Sequence, residues 1–372
     1  MKITDIRVQQ LQPTEHEYQY TEAWRASKIG MILFRVLGED GNEGHCITWL
    51  AGPGQVEDAL PRLKGALVGR DVHDVEAISY ELTDRLTAPN AVNSAVDIAL
   101  WDLIGKHHET PVYKLLGAAR HELRAYASTF YYPTIQEYID LALECRDEGF
   151  NAYKMHPFGV PDKDIELSRA VREAVGDTMD LMLDPVNAYD RRGAMRVGKV
   201  LDELDFYWYE APIPDADVQG LTDLTRKLDL PVTAVESVSG GLLQYPQYLT
   251  GHAVDSLRSV GDWIGGISAM RKSAALCEAF GVKYEPHSYG TTLIQAAHFH
   301  VMLAIHNCDL VELPVPTGCL DAGMKNALRV DESGNVPAPT LPGLGYAIDE
   351  DEIDRLTIRE LTVGAGTSLT GH

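Results

Sequence analysis

Eight short apolar segments follow one another between Gly117 and Pro314, and a helical pattern separates each one from the next. They read LRAYAST, NAYKMHP, DLMLDP, FYWYEAP, PVTAVES, DSLRSV, VKYEPHS and DLVELP. Short apolar runs that alternate with helices predict parallel strands joined by crossover helices. Eight such units in about 200 residues are what a (β/α)8-type barrel requires, and in that fold the active site lies where the strands end. We therefore predict an α/β fold.

The first part of the chain has a different pattern. The residues from Ile29 to Val36 are strand-like, and the GEDGNEG segment supplies a turn after them. The pattern then becomes helical, with apolar residues at i, i+3, i+4 and i+7 spacing between Val92 and Ile104. We predict an α+β domain over residues 1–120, a (β/α)-barrel domain over 121–330, and a segment, 331–372, that returns to the first domain.

The overall charge restricts the kinds of partner. A formal net charge of −23 argues against nucleic acid or an anionic membrane surface, because either would repel the protein. The five cysteines are scattered and never spaced as CxxC, so neither a disulfide framework nor a zinc knuckle is indicated. No apolar run is long enough to span a membrane, and the N-terminus lacks a signal pattern. We expect a cytoplasmic protein that acts on a small molecule.

Three consecutive barrel segments end in an acid: Asp184, Glu210 and Glu236. Carboxylates at neighbouring strand ends converge on one point, and carboxylate oxygens are the ligands that Mg²⁺ prefers. The alternative is that each acid caps the helix that follows its strand. That alternative is disfavoured because a run such as FYWYE contains several large residues that favour burial and only one charge. The sequence thus predicts a magnesium site.

Possible proton carriers lie on both sides of this site. Lys154 and His156 are two residues apart on the preceding strand, so they project to the same face. A lysine near a divalent cation has a lowered pKa, and histidine carries protons at neutral pH, so either qualifies as a base. His287 ends the seventh segment and offers a second proton carrier. The structural alternatives are that Lys154 pairs with an acid of the metal site and that His287 is a packing residue.

Motifs along nearly the whole chain resemble one protein family. The segments NSAVDIALWDLIGKHHETPVYKLLG, GFNAYKMHPFG, LMLDPVNAY, YWYEAPIPD, AVES, GGIS and EPHSYGT are similar, in this order, to the mandelate racemase subgroup of the enolase superfamily. The resemblance implies an α+β capping domain that closes over an enolase-like, modified TIM barrel, and Mg²⁺ that binds the substrate carboxylate. It also implies roles for individual positions: metal ligands Asp184, Glu210 and Glu236, proton-handling residues Lys154, His156 and His287, and Glu312 as a partner of the substrate carboxylate or enediolate.

Two positions depart from the subgroup's pattern. His156 stands where the subgroup usually has the second lysine of a Lys-x-Lys pair, so the identity of the base cannot simply be copied. Val260 stands where the subgroup has the aspartate that orients its histidine. Unless Asp262 substitutes, His287 lacks that carboxylate, which disfavours a two-base racemase. A histidine that only delivers a proton to a leaving hydroxyl depends less on such a partner, which favours dehydration.

The predicted reaction is therefore that of a Mg²⁺-dependent acid-sugar dehydratase, a hydro-lyase. His156 would remove the proton α to the carboxylate, and His287 would protonate the departing C3 hydroxyl, giving a 2-keto-3-deoxy acid. One alternative is an epimerase, racemase or cycloisomerase that uses the same enediolate. A more distant alternative is an inactive metal-binding barrel with a binding or structural role.

Substrate selection is expected to come from the first domain. Its polar, aromatic segment TEHEYQYTEAWRASK offers Tyr20, Trp24 and Arg25 to a ligand, and Arg25 or Lys28 could read a distal carboxylate or hydroxyl groups. The alternative for such loop residues is that they are only solvated. We also expect the protein to form a homo-oligomer.

Overall fold

Antiparallel strands and helices form the N-terminal part of the chain. The computed structural model describes residues 1–84, 90–238 and 240–362. The strand expected between Ile29 and Val36 is present, and the apolar stripe that ends at Ile104 lies on a helix of eighteen residues. The elements are β1 (Ile3–Leu11), β2 (Met31–Gly38), β3 (Glu43–Thr48), α1 (Pro53–Leu67), α2 (Val75–Asp84), α3 (Asn90–His107) and the short α4 (Val112–Leu115).

The eight predicted barrel segments all contain strands. These are β4 (Glu122–Ser128), β5 (Ala152–Met155), β6 (Asp180–Leu183), β7 (Trp208–Glu210), β8 (Val232–Ala234), β9 (Ser256–Leu257), β10 (Lys283–Tyr284) and β11 (Leu310–Pro314). The helices between them are α5 (Ile135–Asp147), α6 (Pro161–Val175), α7 (Arg191–Glu203), α8 (Val218–Lys227), α9 (Tyr245–Thr250), α10 (Gly261–Ile264), α11 (Gly266–Ala279) and α12 (Thr292–Leu303). The chain continues with β12 (Asn335–Pro337), α13 (Glu350–Leu356) and β13 (Thr357–Leu361).

The parallel strands are arranged as a barrel. Their order is β10-β9-β8-β7-β6-β5-β4-β11, and β12 adds to β4 in the antiparallel direction. The two ends of this order meet, because the backbone N–H of Tyr284 donates to the carbonyl of Asn307 at 2.7 Å and the Glu285 carboxylate accepts from the N–H of Asp309 at 2.7 Å. The fold is therefore the predicted (β/α)-type barrel with an α+β capping domain.

The C-terminal strand returns to the antiparallel sheet. β13 pairs with the outer side of β1, which gives the sheet order β13-β1-β2-β3. The last part of the predicted C-terminal segment, residues 363–372, lies outside the described residues. Among the described helices, none is long and apolar enough to cross a membrane.

The capping domain is attached to the barrel through α3. A carboxylate oxygen of Asp97 accepts a hydrogen bond from the N–H of Ser268 at the start of α11, and the Trp101 indole donates to the Ser268 hydroxyl. Gly266 has φ of 72°, and a Cβ atom there would lie 2.5 Å from the Asp97 carboxylate. Only glycine fits this close approach, which explains the second glycine of the GGIS motif.

Candidate active site

The carboxyl ends of β6, β7 and β8 bring together the three acids that the sequence analysis proposed as metal ligands. Glu210 is the last residue of β7, Asp184 follows β6 directly, and Glu236 lies two residues after β8. The ammonium group of Lys154 reaches two of them from β5, with its Nζ 2.8 Å from Oε1 of Glu210 and 3.3 Å from Oδ2 of Asp184. Because parallel strands end on one side of a barrel, four separate segments supply one compact cluster.

An arginine that the sequence analysis did not identify completes the cluster. Arg258 follows β9 directly and is 1% exposed, with its Nε 2.6 Å from Oε1 of Glu210 and 3.2 Å from Oε2 of Glu236. Its Nη2 contacts Glu312, whose other oxygen lies 2.8 Å from Lys154 Nζ. The segment DSLRSV does carry this charge near a strand end, as the acidic segments do, but that pattern alone does not show whether the side chain turns inward.

The charges in this cluster do not balance. Two cations, Lys154 and Arg258, face three buried carboxylates and that of Glu236, whose side chain is 25% exposed, so two negative charges stay uncompensated when all four acids are ionised. Burial raises the pKa of Glu210 to about 7 and the pKa of Glu236 to about 8, although Arg258 opposes both shifts. Bringing four carboxylates together away from water is costly unless positive charge compensates them. An excess of two negative charges among oxygen donors fits a divalent cation such as Mg²⁺.

Lys154 is held in its charged form. Burial by itself lowers the pKa of this lysine, but the carboxylates of Glu210 and Glu312 outweigh that effect and raise the pKa above its ordinary value. Lys154 is not among the residues that line the cavity described below. The side chain is therefore placed to supply positive charge beneath the site.

The ring of His156 is oriented by the backbone. Its Nδ1 lies 2.5 Å from the carbonyl oxygen of Thr129, which has no proton to give, so Nδ1 carries the proton. Nε2 lies 3.1 Å from Oδ2 of Asp184, and a bare lone pair facing a carboxylate oxygen at this distance would be repelled, so a proton lies between the two atoms in the metal-free structure. His156 therefore directs Nε2 at a candidate metal ligand, and a metal ion on Asp184 would leave that nitrogen as a proton acceptor.

His287 lies on the opposite side of the three acids. Its Nε2 is 3.8 Å from Oε1 of Glu236, and in the described parts of the chain its Nδ1 has no hydrogen-bond partner. Asp262 is fully buried on α10, but over the same residues no hydrogen bond joins it to His287. Burial lowers the pKa of His287 to about 3, so the ring is neutral in the free protein. The carboxylate that orients this histidine elsewhere in the subgroup thus has no counterpart bonded to the ring here.

A cavity of about 440 Å³ opens above the cluster, a size that suits a small molecule. Both histidines and two of the acids line it, together with aromatic side chains from both domains: His156, His287, Asp184, Glu236, Tyr20, Trp24, Trp49 and Tyr289. Tyr20 packs edge-on against His156, with ring centroids 5.9 Å apart. The structure therefore brings capping-domain aromatics and the two histidines into one cavity.

The other proposed substrate contacts are placed differently. Arg25 is exposed and is not among the residues that line this cavity. Glu312 lies beneath the cavity, where Lys154 and Arg258 hold it. Trp49 and Tyr289 were not singled out from the sequence, although Tyr289 belongs to the EPHSYGT segment that carries part of the family resemblance.

Comparison with known proteins identifies the family. The family model of the mandelate racemase and muconate lactonizing enzyme N-terminal domain matches residues 6–117, and that of the enolase C-terminal domain-like family matches residues 137–352. Together these models cover both parts of the fold.

Individual relatives include sugar-acid enzymes. The chain is 31% identical over 264 residues to arabinonate dehydratase of Saccharolobus solfataricus, covering 68% of this chain and 69% of that protein. It is 29% identical to D-galactarolactone cycloisomerase of Agrobacterium fabrum, covering 95% and 98%. A crystal structure of D-glucarate dehydratase from Agrobacterium tumefaciens complexed with magnesium superimposes with a TM-score of 0.86 at 29% identity, covering 96% of this chain and 100% of that one. The chain therefore belongs to the mandelate racemase subgroup of the enolase superfamily.

Proposed function

We propose that this protein is a Mg²⁺-dependent dehydratase of a sugar acid. The observation that carries the proposal is that two histidines from different strands, His156 and His287, line one cavity together with Asp184 and Glu236. A dehydration needs a base for the proton α to the carboxylate and an acid for the hydroxyl that leaves the next carbon. The cavity offers one candidate for each role on either side of the acidic cluster.

Asp184, Glu210 and Glu236 are the residues that would hold the metal ion. Mg²⁺ bound there would neutralise the substrate carboxylate and the negative charge that develops on it as the α-proton leaves. The uncompensated negative charge of the cluster and its oxygen donors support this assignment. Magnesium in the related D-glucarate dehydratase structure is consistent with it.

His156 is the proposed base. The carbonyl of Thr129 fixes the Nδ1 proton, and a metal ion held by Asp184 would free Nε2 from its contact with that carboxylate, so that Nε2 can take the C2 proton without any rearrangement of the ring. Lys154, which is buried and charged, stabilises the enediolate electrostatically from below. Tyr20 and Trp49 cover the cavity and reduce the access of water to this step.

His287 is the proposed acid. Its ring is neutral in the free protein, so it must take up a solvent proton before it can act as an acid, and an anionic substrate in the cavity favours that protonated form. That proton goes to the C3 hydroxyl, which leaves as water while the C2–C3 double bond forms. The resulting enol takes up a solvent proton at C3 and becomes a 2-keto-3-deoxy acid.

A cycloisomerase is the second candidate, since the similarity to D-galactarolactone cycloisomerase extends over 95% of the chain. The missing orienting carboxylate favours the dehydratase, because a histidine that must act as a base on the opposite face needs that partner more than an acid does.

A screen of acid sugars with Mg²⁺ tests the proposal. We expect at least one sugar acid to yield a 2-keto acid, detected by reaction with semicarbazide, and EDTA to stop the reaction. Products that form without any 2-keto acid would favour the cycloisomerase, and a complete lack of turnover across the library would contradict both candidates.

A further inference from the structure

Three histidines from two distant parts of the capping domain meet at its surface. His73 lies in the turn between α1 and α2, His107 is the last residue of α3, and His108 follows it. Each offers one ligand nitrogen, and these three atoms all lie within 4.8 Å of one another. The ring centroids are 4.9 to 5.8 Å apart. The cluster is separate from the barrel cavity and shares no residue with it.

Two carboxylates orient two of these rings. Oδ1 of Asp71 lies 2.8 Å from Nδ1 of His73, and Oδ2 of Asp40, from the turn between β2 and β3, lies 2.7 Å from Nδ1 of His107. An ionised carboxylate only accepts hydrogen bonds, so each Nδ1 carries the proton and each Nε2 is left as a donor to a metal. Histidines that bind metal ions usually have this carboxylate partner on the second nitrogen.

The spacing of the rings fits a metal-free form of such a site. Nε2 of His73 lies 2.7 Å from Nε2 of His108, and two bare lone pairs at this distance would repel, so a proton lies between them. A metal ion can replace that proton. With metal–nitrogen distances of about 2.0–2.1 Å, tetrahedral ligands are about 3.4 Å apart, so the two rings need to separate by less than about 1 Å. His73 has a side chain that is 42% exposed and can make this adjustment.

The surrounding field also favours a cation. His107 and His108 lie at the C-terminal end of α3, where the helix dipole is negative, and Asp40 and Asp71 add two carboxylates within hydrogen-bonding distance of the rings.

We propose that His73, His107 and His108 bind one divalent ion of the zinc class, with water completing the coordination. Imidazole nitrogens prefer Zn²⁺, Co²⁺ or Ni²⁺, whereas Mg²⁺ prefers oxygen, so this site and the acidic cluster in the barrel select different metals. The ion ties the end of α3 to the turn before α2 and, through Asp40, to the β2–β3 turn. Its role is to stabilise the capping domain, and it does not depend on the reaction in the barrel.

The test is a calorimetric titration of the intact protein with Zn²⁺ in a large excess of Mg²⁺. We expect one equivalent of Zn²⁺ to bind the wild-type protein and to be lost in His73→Gln and in His107→Gln. His306→Gln, which changes an exposed histidine elsewhere, should retain it. Zn²⁺ that replaces Mg²⁺ in the barrel would appear equally in all these proteins, so the difference between them measures the surface site. Equal binding by the wild type and both cluster variants, or no binding by the wild type, would overturn the proposal.

A second variant distinguishes binding by all three histidines from binding by the neighbouring pair His107 and His108 alone. Asp71→Asn keeps all three histidines but weakens the partner of His73, so Zn²⁺ affinity should fall by about 10- to 100-fold. Zn²⁺ should also raise the Tm of the wild type by several degrees and leave the Tm of His73→Gln unchanged. Unaltered affinity in both Asp71→Asn and His73→Gln would show that the pair is sufficient and would overturn the three-histidine site.

Discussion

The Nε atom of Arg258 lies 2.6 Å from Oε1 of Glu210, and both side chains are buried at the mouth of the barrel. The same guanidinium contacts Glu236 and Glu312, so one arginine joins three carboxylates from three different barrel segments. An arginine in a protein does not lose its proton, so this positive charge is permanent. Arg258 therefore sets how much negative charge the cluster has left for a metal ion.

Replacing Arg258 with glutamine should leave three uncompensated negative charges instead of two. We expect the metal-free variant to lose about 3–5 kcal/mol of unfolding free energy, because buried carboxylates lose their partner. Mg²⁺ should recover part of this loss, so the rise in Tm on adding Mg²⁺ should be larger in the variant than in the wild type. The matched control is Lys283→Gln, which removes an exposed ion pair with Asp309 and should cost less than about 1 kcal/mol. An equal Tm deficit in EDTA and in Mg²⁺ would contradict this role.

The metal assignment predicts the behaviour of Glu210→Gln. This change removes one candidate ligand with little change in volume, so the variant should stay folded but fail to regain activity at Mg²⁺ concentrations that saturate the wild type. Circular dichroism checks the fold, and a titration of activity with Mg²⁺ after EDTA treatment measures the defect. Glu278→Gln, on the exposed face of α11, should behave as the wild type does. Full turnover of the wild-type protein in EDTA would be incompatible with the assignment.

The two histidines of the cavity should differ in proton exchange. His156→Asn should stop both turnover and the exchange of the substrate α-proton with solvent deuterium, because the base is gone. His287→Asn should block the loss of water yet leave α-proton exchange detectable, provided that the proton on His156 exchanges before it returns. Proton NMR of the substrate in deuterium oxide measures both effects. Exchange that survives in the first variant and disappears in the second would reverse the two roles.

Much of the fold could be predicted because its signals are local. The long stripe of α3 and the alternation of short apolar runs with helices are visible in the sequence, and all eight runs contain strands. The pairing of β13 with β1 and of β12 with β4 could not be predicted from such local patterns, since each pairing joins residues more than 200 positions apart. Such pairings depend on which sheet edge the folded chain leaves open, and no period in the sequence encodes that.

Part of the site could be predicted, because a charged residue at the end of an apolar strand segment is visible in the sequence. Asp184, Glu210 and Glu236 follow apolar runs, and the barrel geometry alone brings them together. The sequence could not show that Arg258 would turn inward, because an arginine after a two-residue strand is equally compatible with an exposed position. Nor could it show that Arg25 would be exposed while Trp49 lines the cavity, since both depend on how the capping domain lies over the barrel.

A buried histidine outside the active site predicts a pH dependence of stability. Nδ1 of His300 accepts a hydrogen bond from the N–H of Tyr113 at 2.9 Å, and burial lowers the pKa of His300 to about 4. In the unfolded chain the pKa is about 6.5, so between these values the unfolded state binds a proton that the folded state does not. The contribution of the neutral His300 ring to the free energy of unfolding is therefore complete above about pH 6.5 and is lost progressively as the pH falls towards 4.

The variant His300→Gln should show this directly. The difference in unfolding free energy between the wild type and the variant should shrink by about 2 kcal/mol between pH 7 and pH 5, measured by urea unfolding at each pH. A constant difference for His300→Gln would show that the buried ring is not held neutral.

The mass and isotope content of the product test the central claim most directly. The Mg²⁺-loaded protein is incubated with a sugar acid in deuterium oxide, and the product is analysed by mass spectrometry and NMR. Dehydration through an enol predicts a product that has lost one water and carries one solvent deuterium at C3, in place of the hydroxyl. A product with the mass of an isomer of the substrate, and with any deuterium at C2, would contradict dehydration and identify the reaction as an isomerisation.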